Sequence, residues 1–229
     1  MMHTKTFTTA TLAALLLLAT RLPAQAKPDP YPSMAPVERY LMARADEVAL
    51  ARSAAPPSIA DHATVLVLTR QGYVTAVTGS NGFVCLVERS WDSPFHAPKF
   101  WNPAIRGADC LNPPAARSIL PFVLLRTKLA LAGRSQEEIL AGLQAAVAAH
   151  RLPTLEPDSA AYMMSKRSYL TNSGGNLSHV MFFVPSFTAG ELGEDLPGSP
   201  ISLAGKMDAA PVSIVVVATR HWSDGTPVK

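Results

Sequence analysis

Few residues in this chain are placed to do chemistry. Beyond residue 27 the histidines are His62, His96, His150, His179 and His221, and none stands at the i, i+4 or H-x-H spacing that sets two imidazoles on one metal. His179 opens an apolar run after the Gly-rich turn Asn172-Ser173-Gly174-Gly175-Asn176, where a ring at a strand end can face a cleft. His96 lies among aromatic residues, and Glu88 closes another apolar run just before Arg89. His179, His96 and Glu88 therefore form a candidate acid/base or metal-assisted hydrolytic set. The competing reading puts the histidines at strand ends and on the surface, and pairs Glu88 with Arg89 or a loop N–H.

Cys85 and Cys110 are the only cysteines. In an oxidising compartment such a pair reads first as a bridge, closing a loop of about 25 residues and contributing on the order of 3 kcal/mol. Two separate thiols, or a nucleophilic or redox pair, are the alternatives, and the last is opposed by a spacing far from C-x-x-C. The patterns G-x-S-x-G, S-x-x-K, H-E-x-x-H, the P-loop and G-x-G-x-x-G do not occur, so no motif indicates a cofactor or a metal. Triads are assembled in space, so this lowers the odds of an enzyme without excluding one.

Aromatic residues supply the other candidate site. Trp91, Phe95, Phe100 and Trp101 are interleaved with Pro94, Pro98 and Pro103 in the stretch Ser90–Pro114. That stretch is too proline-rich for a strand and too aromatic for a solvated linker. It reads as an ordered loop folded back on the body. Its rings either cover the sheet or, with His179, line a ligand pocket.

The elements that must hold these residues follow from the hydrophobic pattern. Residues 1–26 read as a cleaved signal peptide, with Lys5, an apolar run Leu12–Ala19 and the small-x-small site Ala24-Gln25-Ala26. The apolar run is too short to span a bilayer, and no cysteine follows it to carry a lipid. The mature protein is thus expected in the periplasm or outside the cell, with no membrane span. Cleavage removes Lys5 and Arg21 and no acid, so 20 basic residues fall to 18 against 17 acidic ones, a net charge of +1. That balance, without a basic stripe, excludes electrostatic binding to nucleic acid.

Residues 27–36 form a proline-rich leader, and residues 37–229 a single domain. Val37, Tyr40, Leu41, Ala45 and Val48 recur at helical spacing up to about Arg52. Val65–Thr69, Tyr73–Thr78 and Phe83–Val87 then read as a three-stranded antiparallel meander, with Asn81-Gly82 as its second turn. Ala115–Ala132 is apolar at helical spacing and interrupted at Pro121. Ser135 and Glu138 form a capping box before a helix carrying Ile139, Leu143 and Val147. Ala160–Ser165, Ser178–Val184 and Val212–Thr219 complete the strands, and 185–211 reads as a long connection. The fold class is α+β, an antiparallel or mixed sheet built on the meander with helices packed on one face. By element order alone it resembles profilin-like or sensor-type sheets that hold small ligands.

The block NGFVCLVERSW (Asn81–Trp91), then FWNP (Phe100–Pro103), Cys110 and PPAARS (Pro113–Ser118), resembles exported bacterial proteins of unassigned function. The resemblance covers Asn81–Ser118; it implies export and a shared fold, and brings no activity with it. The leading expectation is an exported, non-catalytic domain that binds a small apolar or amphipathic ligand, or a protein partner, beside the 90–114 loop. The alternatives are the hydrolase on His179, His96 and Glu88, and a structural envelope protein without a ligand. Nothing in the sequence sets an oligomeric state.

Overall fold

The computed structural model describes residues 1, 31–173, 175–188, 190–194 and 196–228. The expected signal peptide and the first four residues of the leader lie outside the described residues. The described chain is α+β: eight strands make one mixed sheet in the order β2-β1-β3-β4-β5-β6-β8-β7. The strands are β1 (Thr64–Thr69), β2 (Gly72–Val77), β3 (Val84–Glu88), β4 (Gly107–Leu111), β5 (Ala160–Met163), β6 (His179–Pro185), β7 (Ile201–Lys206) and β8 (Val212–Ala218). The helices are α1 (Arg44–Arg52), α2 (Pro57–Ala60), α3 (Pro113–Ser118), α4 (Leu120–Leu131) and α5 (Gln136–Ala148). None of these is long and apolar enough to cross a membrane.

The antiparallel meander is not what forms. β1 and β2 make the expected hairpin, but β3 lies on the other side of β1 and runs parallel to it. The cause is the Gly79–Gly82 connection, which docks on the chain entering β1 instead of closing a tight hairpin. The Ser80 N–H donates to the His62 carbonyl at 2.8 Å, and the Asn81 side-chain amide donates to the Ile59 carbonyl at 2.8 Å. At Gly79 a Cβ would stand 2.2 Å from the Ala63 backbone, so only glycine permits this crossing. β2 is left as the half-exposed edge.

Helices also pack on both faces, not on one. Val65, Leu66, Val67 and Leu68 of β1 are all buried, as are Cys85, Leu86 and Val87 of β3, so both faces of these strands must be covered. Side chains alternate along a strand, so β3 splits its residues between the two sides. Val65, Cys85, Val87, Ala108 and Cys110 pack under α1 and α2, against Leu50, Ala51 and Ala60. Leu66, Leu86, Leu111, Ala161 and Phe183 pack under α3 and α4. The break between those two helices falls at Ile119, just before Pro121, and the Ser135–Glu138 capping box opens α5 as expected. Tyr73 of β2 and Met207 beyond β7 enter the same cluster with α4, so both edges of the sheet reach toward that helix.

Cys85 and Cys110 form a disulfide between directly opposed residues of β3 and β4, and the described residues include no free cysteine. β4 lies inside the stretch expected to be loop, and β7 inside the expected 185–211 connection. The remaining aromatic segment does fold back. Trp91, Phe100 and Trp101 are buried with Tyr40, Phe122, Ile139 and Leu143, so the rings rest chiefly on α4 and α5, with Leu68 as the sheet's contribution.

Candidate functional site

The site grows out of strand alternation at the ends of β3 and β4. Leu86 and Glu88 face α4, while Cys85 and Val87 face α1. Leu86 pairs with Asp109 and Glu88 with Gly107, so Glu88 and Asp109 are diagonal neighbours on the α4 face. A Cβ on Gly107 would press on the Met163 and Leu170 side chains at 3.1 and 3.2 Å, while standing in ordinary contact with the Glu88 Cβ. The disulfide on the opposite face staples the two strands that carry this pair.

Arg89 and Trp91 hold the neighbouring turn in place. Arg89 is buried on the α1 side, where it donates to the Tyr40 carbonyl at 2.8 Å and pairs with Glu47 at 2.7 Å. The Glu47 carboxylate also accepts the Leu68 N–H at 3.0 Å. Glu88 thus does not pair with Arg89; the two point to opposite sides of the sheet. Trp91 is fully buried, its indole N–H donating to Thr127 of α4 at 3.1 Å. This anchors the turn Ser90–Asp92 beside Arg126, and Asp92 Oδ2 closes it by accepting the Arg89 N–H at 3.1 Å.

Between these groups lies a cavity of about 330 Å³. The sheet contributes Glu88, Asp109, Met181, Phe183 and Ile214, and the turn contributes Asp92, Pro94 and Phe95. Phe122, Val123 and Arg126 of α4, Leu143 of α5 and residues 204–209 complete the wall. A bulge in β7 after Leu203, with Gly205 at φ +137°, bends this last strand where it meets the cavity. Arg126 stacks its guanidinium 4.1 Å from the Phe95 centroid and donates to the Ser93 carbonyl.

The electrostatics of the cavity are unusual. Burial raises Glu88 well above the usual carboxylate range, and the charges of Asp109 and Asp92 add to the rise. Burial likewise pushes Asp109 up to about 7, although the Cys110 N–H stabilises its ionised form. Asp92 is pushed up to about 6 by burial, held from going higher chiefly by the Arg126 charge. Glu88 and Asp109, side by side on this face, each influence the other's titration. Asp109 is 1% exposed, yet its Oδ1 has no hydrogen-bond partner, and neither have Asp92 Oδ1 and Arg126 Nε. Buried polar atoms are almost always paired, so three orphans on one cavity mark a place built for something else.

The residues expected from the sequence are not gathered in one place. Glu88 and Phe95 line this cavity. His96 and Trp101 line a second cleft of about 500 Å³ with Arg134 and Glu138 at the start of α5. His179 lines neither; its Nδ1 meets the Leu177 carbonyl at 2.8 Å, and burial lowers its pKa. Trp91 and Phe100 are packed inside. Among the described residues no three His, Cys, Asp or Glu side chains are arranged to hold a metal ion. Asp92, Asp109 and Arg126 escaped sequence reading. The signal for Asp109 was the cysteine pair: a bridge with Cys85 opposite Cys110 fixes a register that puts Asp109 opposite Leu86, on the face of Glu88. No family model, curated protein or solved structure matches this chain.

Proposed function

We propose that the chain is an exported, non-catalytic protein that holds a small amphipathic molecule in the cavity between Glu88, Asp109 and α4. The observation that carries this reading is the buried, unpartnered Asp109 oxygen on the wall of an otherwise largely apolar cavity. Ligand sites share that character: concave, apolar, with a few convergent polar groups. The Cys85–Cys110 bridge supports a periplasmic or extracellular location, since such bridges persist where the compartment is oxidising. Native mass spectrometry on protein isolated from the periplasm tests the reading. A retained organic mass that an Ile214→Trp variant fails to carry supports it; wild-type protein empty after gentle isolation, with no uptake from an extract of the same cells, overturns it.

A second reading has one observation in its favour, two carboxyls, Glu88 and Asp109, set diagonally on one sheet face and both raised by burial. Two carboxyls held apart in pKa supply a general acid and a general base for hydrolysis. It requires turnover of an ester, amide or glycoside that is lost in both Glu88→Gln and Asp109→Asn.

A further inference from the structure

Resting on the reading of this cavity as a ligand site, we infer that the ligand's polar end is a cationic amine, received by Glu88 and Asp109. The charge balance of the cavity argues for it. Three carboxyl groups, Glu88, Asp92 and Asp109, face one half-buried guanidinium, Arg126, on the cavity wall. That guanidinium is partly committed, stacked on Phe95, donating to Ser93 and facing Asp92 across the turn, with its Nε left without a partner against three carboxyl groups. The other charged groups nearby do not reach the pair with a hydrogen bond. Lys99 is tied to the Leu170 carbonyl, and Lys206 and Asp208 are exposed on the β7–β8 hairpin and opposite in sign. Glu88 and Asp109 are left as an acidic excess in an apolar wall.

Hydrogen-bond chemistry selects the partner. Ionised carboxylates only accept, and an ammonium only donates, with three N–H groups to offer. A hydroxyl offers one donor and brings lone pairs that would face the carboxylates. A ligand carboxylate would add a fourth acid. The rest of the ligand must be apolar and small: about 330 Å³ holds roughly ten methylene-sized groups at about 30 Å³ each, against Val123, Met181 and Phe183. The exchange balances in protons. Burial favours the protonated form of these carboxyls; the ammonium brings its own positive charge instead, and each displaced proton leaves to solvent. Affinity therefore rises with pH as the pair ionises, and levels off once it is fully ionised.

Calorimetric titration with 2-phenylethylamine, 2-phenylethanol and phenylacetate at pH 7, in two buffers of different ionisation enthalpy, tests this. The expected result is that the amine binds on the order of tenfold or more tighter than the alcohol, with net proton release. Asp109→Asn and Glu88→Gln should each remove that preference, with circular dichroism showing that the variants fold. Equal binding of amine and alcohol overturns the cationic assignment and leaves the ligand cavity standing. Tighter binding of phenylacetate overturns it in favour of Arg126. Displacement of the amine by micromolar zinc or calcium overturns it in favour of a metal. No binding by any of the three overturns both the assignment and the reading beneath it.

Discussion

Asp109→Asn should make this protein more stable at pH 8, and less markedly so at pH 5. Asp109 sits mid-strand in β4, 1% exposed, with its carboxyl pushed from an ordinary 3.8 to about 7. A group whose folded-state pKa is raised binds more protons folded than unfolded. Its contribution therefore favours the fold at low pH and is lost as pH rises from about 4 through about 7. Three pKa units at about 1.4 kcal/mol each give an upper bound of about 4 kcal/mol, fully expressed above pH 8. Part of that strain belongs to the mutual repulsion of Glu88, Asp92 and Asp109, so removing one member should recover about half, roughly 2 kcal/mol. Asparagine keeps the shape and can donate to Glu88, so no cavity is created. Equilibrium urea unfolding followed by tryptophan emission, with the disulfide intact, at pH 5, 6, 7 and 8 measures the difference. A variant less stable than wild type at pH 8, or a wild-type stability that does not fall between pH 5 and 8, would refute the claim that this carboxyl is held against its preference. Such stored instability is common at binding sites, where groups are arranged for a ligand and not for the fold.

Three further outcomes follow from the packing. Non-reduced peptide mapping should join Cys85 to Cys110, and the Cys85→Ala/Cys110→Ala variant should lose about 3 kcal/mol, as expected for a bridge closing a loop of about 25 residues. Trp101→Ala should lose about 3–5 kcal/mol in thermal or urea unfolding, because the ring is 4% exposed and packs edge-on against Phe100 at 4.7 Å. Glu47→Ala should lose a similar 3–5 kcal/mol by stranding the buried Arg89 guanidinium, and a loss below about 1 kcal/mol would show that water reaches the pair.

How much of this was written in the sequence depends on the residue. The β1–β2 hairpin, the Ser135 capping box and the Pro121 break were legible because each rests on local chemistry. The order of β2, β1 and β3 was not, because it depends on Ser80 and Asn81 bonding to the chain before β1, a contact across about twenty residues. The double-sided burial of β1 had a signal in Val65–Leu68, apolar without alternation, which the expectation of helices on one face passed over. β4 was hidden by its composition: Gly107-Ala108-Asp109-Cys110-Leu111 holds a glycine and a buried aspartate that strands ordinarily avoid. That violation is where the candidate site lies, as expected of residues kept for function over fold. Asp92 and Arg126 belong to different elements, brought together by the Trp91–Thr127 and Arg126–Ser93 bonds, which no local pattern announces.

The most direct test of the account is a saturation experiment on the cavity itself. Calorimetric titration of 2-phenylethanol, a neutral molecule of a size this cavity holds, into wild type and Ile214→Trp, with circular dichroism to confirm the fold, asks whether this space receives a molecule. The account predicts saturable one-site binding to wild type and its loss in Ile214→Trp, whose ring occupies the space beside Phe183. Equal binding to a folded Ile214→Trp, or no binding to wild type, would contradict it.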